Sequence, residues 1–317
     1  MSFLTVIHFY ENSSLAGVSS FTPKNSTYIP CKCVIFRLDD VDDSSKSKLR
    51  STILDHFTSE NKKLVTGIIL SRFGNMASDG TIYAKVKEGF DKGLFQLAIH
   101  GWNHTRYSEL TEEQQKKDFI NANNKLLSLF GNKSRIFVPP FNEFNSYTMS
   151  AMADSGLDIF STSSYREYRT TNPYKVQSLF STDNSVIELS EVNTNGSDKK
   201  DTANKKIIYH VPFNISLLSL IQDGYSGGDL IERVLSDVEK DIVERGFSVI
   251  ALHPRDFSTS NSSAGITVDP NKFKVLVDIV DRLENTGISV VNFDDITRGP
   301  FHAIQGETNS SYLPARG

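Results

Sequence analysis

The sequence predicts an α/β protein in which seven or eight strand-helix repeats close, or nearly close, into a distorted barrel. Three observations carry that expectation. Short apolar runs rich in Val, Ile and Phe recur along the chain, as strands buried on both faces of a parallel sheet should read. Between them lie longer stretches whose apolar residues repeat at helix spacing. Several of the apolar runs end abruptly in acids, histidine or proline, as strands do where they open on one common barrel face.

Taken in order, residues 1–30 are rich in Ser, Thr and Asn and read as an irregular arm with one strand near residues 4–9. The run VIFRLDDVDD at 34–43 is the first core strand, ending in Asp39 and Asp40. A helix follows over 44–60, with Leu49, Ile53, Leu54 and Phe57 on one face, then a strand at 63–70 (KLVTGIIL). A short helix over 81–92 stops at Gly93, and a third strand at 95–99 delivers His100. Thr111 opens a helix with Glu112 and Glu113 in its first turn, which favours the positive end of the helix dipole, and Gly131 closes it.

A fourth strand over 135–138 breaks at Pro139-Pro140; a helix over 146–155 and a strand over 157–161 follow. Residues 163–206 are polar, with one apolar island at 186–192. They lack the material for a core of their own and read as an excursion over one face. Strand 207–213, helix 228–246, strand 247–253 (FSVIALH), helix 271–284 and strand 288–293 complete the repeats. The expected organisation is therefore an arm at 1–30, a barrel at 31–297 and a loose tail at 298–317.

At 317 residues, 38% hydrophobic and 23% charged, the chain can bury a full core. A net charge of -4 without any Lys/Arg block argues against nucleic acid as a partner. No segment approaches the roughly 20 apolar residues needed to span a bilayer, and FLTVIHFY is too short and interrupted for a signal peptide. Eight N-x-S/T sequons, Asn103, Asn132 and Asn214 among them, tilt the expectation toward a secreted or cell-surface setting over a cytoplasmic one. Oligomeric state is not legible. The two cysteines, Cys31 and Cys33, lie one residue apart. Extended backbone would hold their Cα atoms near the upper limit for a bridge, so a pair of small residues is the preferred reading and a disulfide the alternative.

The chemistry concentrates at strand ends. Two adjacent carboxylates, Asp39 and Asp40, at the end of a buried strand must be paired, hydrated or bound to a cation. HGWNH places His100 and His104 four residues apart, on one side of a helical turn or tight loop. With a carboxylate they make the N,N,O set that zinc and similar divalent ions accept. Alone, an H-x-x-x-H fits a structural pair more often than a metal site. In a barrel, however, Asp39, Asp40, His100, His104, the Pro139 turn and His253 all fall on one mouth.

Together these pieces resemble the polysaccharide deacetylase family, also called the NodB-homology or carbohydrate esterase family 4 group. The motifs are LDD at 38–40, HGWNH at 100–104, FVPPFN at 137–142 and IALHP at 250–254, in the family's order and spanning about 34–293. The resemblance implies a NodB-like deacetylase fold. It implies Asp40, His100 and His104 as metal ligands, Asp39 as catalytic base, the Phe141 N–H as oxyanion donor and His253 as the acid that protonates the departing amine. Zinc is the default metal, with cobalt, nickel, manganese and iron as alternatives. The implied activity is removal of acetyl groups from an N-acetylated or O-acetylated carbohydrate. Two features depart from the family pattern: Val138 and Asn142 stand where the family carries Arg and Gly, and no Asp-Trp motif orients the acidic His. They point to a divergent branch, and leave as rivals the hydrolysis of a small cyclic amide on the same scaffold and a metal-containing carbohydrate-binding protein without turnover. Purely structural use of the acids and histidines is a third rival.

Other residues have candidate roles. Trp102, Pro140, Asn142 and Glu143 are expected substrate contacts, with Asn142 and Glu143 alternatively replacing the absent Arg network. Tyr107, Phe141 and Phe144 could offer stacking faces or serve as packing. Asp42 and Asp43 read as solvated acids at a helix start, with assistance to the metal site as the alternative, and His210 as a core or rim histidine with a substrate contact as the alternative.

Overall fold

The computed structural model describes residues 31–43, 47–75, 81–163, 175–176, 186–189, 206–259 and 267–298. The expected arm with its strand, most of the excursion at 163–206 and the tail beyond 298 lie outside these residues. The sheet is built from β1 (Cys33–Val41), β2 (Leu64–Ile68), β3 (Phe95–Ile99), β4 (Ile136–Phe137), β5 (Ile159–Phe160), β6 (Lys175–Val176), β7 (Val186–Leu189), β8 (Lys206–His210), β9 (Ile215–Ser216), β10 (Phe247–Leu252) and β11 (Ser289–Val290). Its order is β6-β7-β8-β5-β4-β3-β2-β1-β10-β9, with β11 beside the start of β1. The core pairs from β8 through β5, β4, β3, β2 and β1 to β10 are parallel, whereas β6, β7 and β8 pair antiparallel at one edge. The result is a curled half-barrel, open among the described residues between β9 and β6.

Alternation along each strand sorts side chains between two cores. Cys33 and Ile35 face an inner cluster with Val65, Ala98, Ile136, Ile159 and Val249. Val34, Phe36 and Leu38 face an outer cluster shared with the helices, including Ile53, Leu54 and Phe57 of α1 (Ser47–Ser59). Both faces of β1 are thus dry, which is why it reads as an unbroken apolar run.

Helix boundaries follow local chemistry. Between α2 (Thr81–Asp91) and α4 (Thr148–Asp154) runs α3 (Glu112–Phe130), opened by a Thr111–Gln114 capping box and closed by left-handed Gly131 at φ 69°. A short α5 (Leu217–Gln222), which the sequence did not signal, precedes α6 (Gly227–Arg245). Asp269 caps α7 (Pro270–Asn285) by accepting from the Asn271 and Lys272 amides. After β11 the chain turns into α8 (Phe293–Thr297), where Asp294 and Asp295 occupy the first turn, paired with Arg135 and Lys63.

One expectation is corrected. Cys31 and Cys33 form a disulfide with Cα atoms 5.2 Å apart. The intervening Lys32 has φ 45°, so the backbone is bent and not extended, and the argument from extended geometry does not apply.

Candidate metal and hydrolytic site

The site forms where β1 runs out. The β1–β2 register shifts between Leu38 and Val41, and Asp40 has φ 59°, so the two consecutive carboxylates leave the strand in different directions. Asp39 keeps the inward phase of Cys33, Ile35 and Arg37. Asp40 is swung toward the loop after β3. That turn is clamped from behind: the Arg50 Nε donates to the Asp40 carbonyl at 2.7 Å while its guanidinium pairs with buried Asp42 at 2.8 Å. Asp42 is therefore a buried ion-pair partner and not a solvated helix acid. Asp43 accepts from the Gly74 and Tyr83 amides, which places it too in the scaffold and outside the metal set.

HGWNH is a tight loop rather than a helical turn, bent by Gly101 (φ 77°) and His104 (φ 59°). It brings His104 Nε2 to 3.0 Å and His100 Nε2 to 3.3 Å from Asp40 Oδ1. His100 Nδ1 donates to the Val138 carbonyl at 2.9 Å, which fixes the ring so that Nε2 is the nitrogen facing Asp40. One oxygen and two nitrogens lie within 4.8 Å of one another, so the donor set fits a divalent cation. Six non-glycine residues among those described have positive φ; Asp40, His104, Phe141 and Asn142 are four of them. Strained backbone gathers at this one place.

Burial alone would raise the Asp40 carboxyl, but hydrogen bonds from His100 and His104 and the charges of His100 and His253 hold it well below the usual carboxylate range. Burial also disfavours charge on His100, and there Asp40 and Asp39 win and raise it. His253, one residue past β10, is lowered: burial outweighs the pull of Asp39 and Asp40.

Two functional candidates escaped the sequence reading. Arg37 grips Asp39 with two parallel hydrogen bonds, Nε to Oδ1 at 3.0 Å and Nη2 to Oδ2 at 2.7 Å, both side chains being at most 4% exposed. Its Nη1 donates to the Ser161 hydroxyl and carbonyl, and the Phe213 ring lies 4.6 Å beneath it. The available signal was a cation inside an apolar strand, two residues before the acid and hence on its face. Asp256 is the other. It is buried, and its Oδ2 accepts from the His253 amide at 2.7 Å and lies 4.0 Å from His253 Nδ1. Burial pushes the Asp256 carboxyl up to about 7. The sequence HPRD carried that signal as an acid three residues after the histidine.

The Pro139-Pro140 turn positions Phe141, whose half-exposed ring lies 4.5 Å from His104 and under the Arg106 guanidinium. Glu143 holds Arg106 and Ser108. Asn142 bonds Thr162 and Ser163, tying this turn to the end of β5. Both are thus engaged in the scaffold, and neither replaces an Arg at Asp39. Pro140 is buried and packs over Gly101, where a Cβ would meet its ring at 3.1 Å. Trp102 packs against the outer core with Lys125 over its ring at 5.8 Å, leaving Phe141 the better placed stacking face. His210 is buried against Phe160 and is held down to about 4 by burial and the Arg245 charge, so it is a core residue and not a substrate contact.

The polysaccharide deacetylase family model matches residues 29–160. No curated protein matches the chain in sequence. Among solved structures, a family 4 acetyl xylan esterase from Clostridium thermocellum, in complex with a cobalt ion, superposes with TM-score 0.51 at 14% identity over 84% of this chain and 90% of its own. A peptidoglycan N-acetylglucosamine deacetylase does so with TM-score 0.51 at 14% identity, over 83% and 87%. A carbohydrate esterase family 4 pseudoenzyme from Bacillus anthracis gives 0.51 at 11%, over 84% of this chain and 66% of that one. At such identities these likenesses speak to the fold, which is that of the NodB-like deacetylases. The chain therefore carries the NodB-like deacetylase fold, and over residues 29–160 it is similar in sequence to the polysaccharide deacetylase family.

Proposed function

We propose that this chain is a metal-dependent hydrolase that removes acetyl groups from an N-acetylated or O-acetylated carbohydrate. The observation that carries the reading is the Asp40–His100–His104 donor set lying next to a second, separately held carboxylate, Asp39, and a histidine from the neighbouring strand, His253. Asp40, His100 and His104 would hold the ion, zinc by donor type. When bound, it supplies a Lewis acid that polarises the acetyl carbonyl and makes water more acidic.

The remaining roles belong to the chain. Asp39 takes the proton of the water that attacks the acyl carbon. Negative charge growing on the carbonyl oxygen is met by the Phe141 N–H, since Pro140 before it has none to donate. His253 delivers a proton to the departing nitrogen or oxygen as the acyl bond breaks. The Phe141 ring, exposed beside His104, offers a face for the sugar.

The test is elemental analysis of the purified protein and of its Asp40→Ala and His104→Ala variants, with acetate release from N-acetylated oligosaccharides followed on the same samples. Near-stoichiometric metal in the wild type, lost in both variants together with acetate release, supports the proposal. Metal without acetate release favours the binding protein or the cyclic-amide hydrolase; a folded wild type that takes up no zinc overturns it.

A further inference from the structure

We propose that Arg37 and Asp256 are the positioning residues of this site, Arg37 fixing the Asp39 carboxylate and Asp256 orienting the His253 imidazole. The inference rests on the hydrolytic reading above but is carried by separate geometry. A carboxylate that must accept a proton along one direction has to be prevented from rotating. Arg37 does this with a planar two-point grip from the same strand face, and Ser161 and Phe213 hold the guanidinium in turn. No rotation of Asp39 keeps both bonds.

For His253 the demand is different. A ring that passes a proton from one nitrogen needs a partner for the other. His253 Nδ1 and Asp256 Oδ1 are both buried without a hydrogen-bond partner among the described residues, 4.0 Å separates Nδ1 from Oδ2, and the His253 amide already anchors Asp256 at 2.7 Å. A small turn of the ring closes the contact, and the backbone anchor keeps the carboxylate in place while it does so. Both positioning residues belong to the motif of the residue they serve, Arg37 two before Asp39 and Asp256 three after His253.

Arg37→Lys keeps the cation and loses the planar fork. It is expected to lower kcat about tenfold or more, with KM and zinc affinity within about threefold of wild type, because neither substrate nor metal is touched. Arg37→Gln, compared with and without Asp39→Asn, gives a readout free of activity: its effect on the urea midpoint should largely vanish when Asp39 no longer carries charge. Asp256→Asn should lower kcat by a similar factor, leave zinc affinity alone and change the nitrogen chemical shifts of His253 in histidine-labelled protein. Wild-type kcat in Arg37→Lys, or the same midpoint effect in both Asp39 backgrounds, overturns the assignment of Arg37. An unchanged His253 signal with unchanged kcat overturns that of Asp256. Should the wild type release no acetate while the midpoint coupling and the His253 shift are present, the hydrolytic reading fails and the positioning contacts stand.

Discussion

Leu38 of β1 lies opposite Leu252 of β10 in a parallel ladder, and the next residue of each strand is Asp39 and His253. The proposed base and acid are therefore set side by side by strand register, 214 positions apart in the chain. A one-residue slip would turn every side chain of β1 to the other face and exchange Asp39 for an apolar neighbour.

Asp39→Asn and His253→Gln are accordingly expected to lower acetate release by about 10²- to 10⁴-fold each, the usual worth of a positioned acid or base. Both should keep their metal, since neither belongs to the donor set. Parallel measurement of turnover and metal content checks this, and loss of metal in either variant would refute it.

Metal should also be visible as stability. At a zinc concentration about 100 times its dissociation constant, binding adds about 2.7 kcal/mol to the folded state. Chelation of the wild type should lower its melting temperature and zinc should restore it. His104→Ala should show neither change.

Gly67 provides space for the site. A Cβ there would stand 3.0 Å from Asp39 Oδ1 and 3.5 Å from His100 Cβ. Gly67→Ala is expected to cost about 1–3 kcal/mol in denaturant unfolding, as overpacking does, and to lower kcat by displacing Asp39. Wild-type turnover would show that the neighbours give way freely.

His210 predicts an acid-sensitive core. In the fold its ring protonates only near pH 4, whereas an unfolded histidine does so near its ordinary value of 6.5. Between those values the unfolded chain binds the extra proton. Its contribution is complete above about pH 6.5 and is lost as pH falls toward 4, to a total of roughly 3 kcal/mol. Urea midpoints across that range should flatten in His210→Phe; an unaltered slope would count against the assignment.

Reduction of Cys31–Cys33 is expected to cost only about 1.5 kcal/mol, because the loop it closes is so short. A melting curve with and without reductant tests it, and collapse of the fold on reduction would contradict it.

The sequence by itself determined the repeating architecture and the membership of the candidate donor set. Both faces of β1 are buried, so its apolar run is unbroken, and local signals such as Thr111, Gly131 and Pro139-Pro140 fixed where elements begin and end. The strand-end positions of Asp40, His100 and His104 followed from that alternation, since in a parallel sheet carboxyl ends share one rim. What only the tertiary structure decided are the partners. Whether a buried charge such as Arg37 faces an acid, a carbonyl or a ring depends on which strands become neighbours, and Ser161 and Phe213 are far from it in the chain. The same holds for Asp42, whose solvation vanished once Arg50 packed over it, and for Trp102, drawn beneath Lys125. The disulfide turned on a single dihedral at Lys32 that composition does not encode. Periodicity reports which face a side chain takes; only the folded chain reports what meets it there.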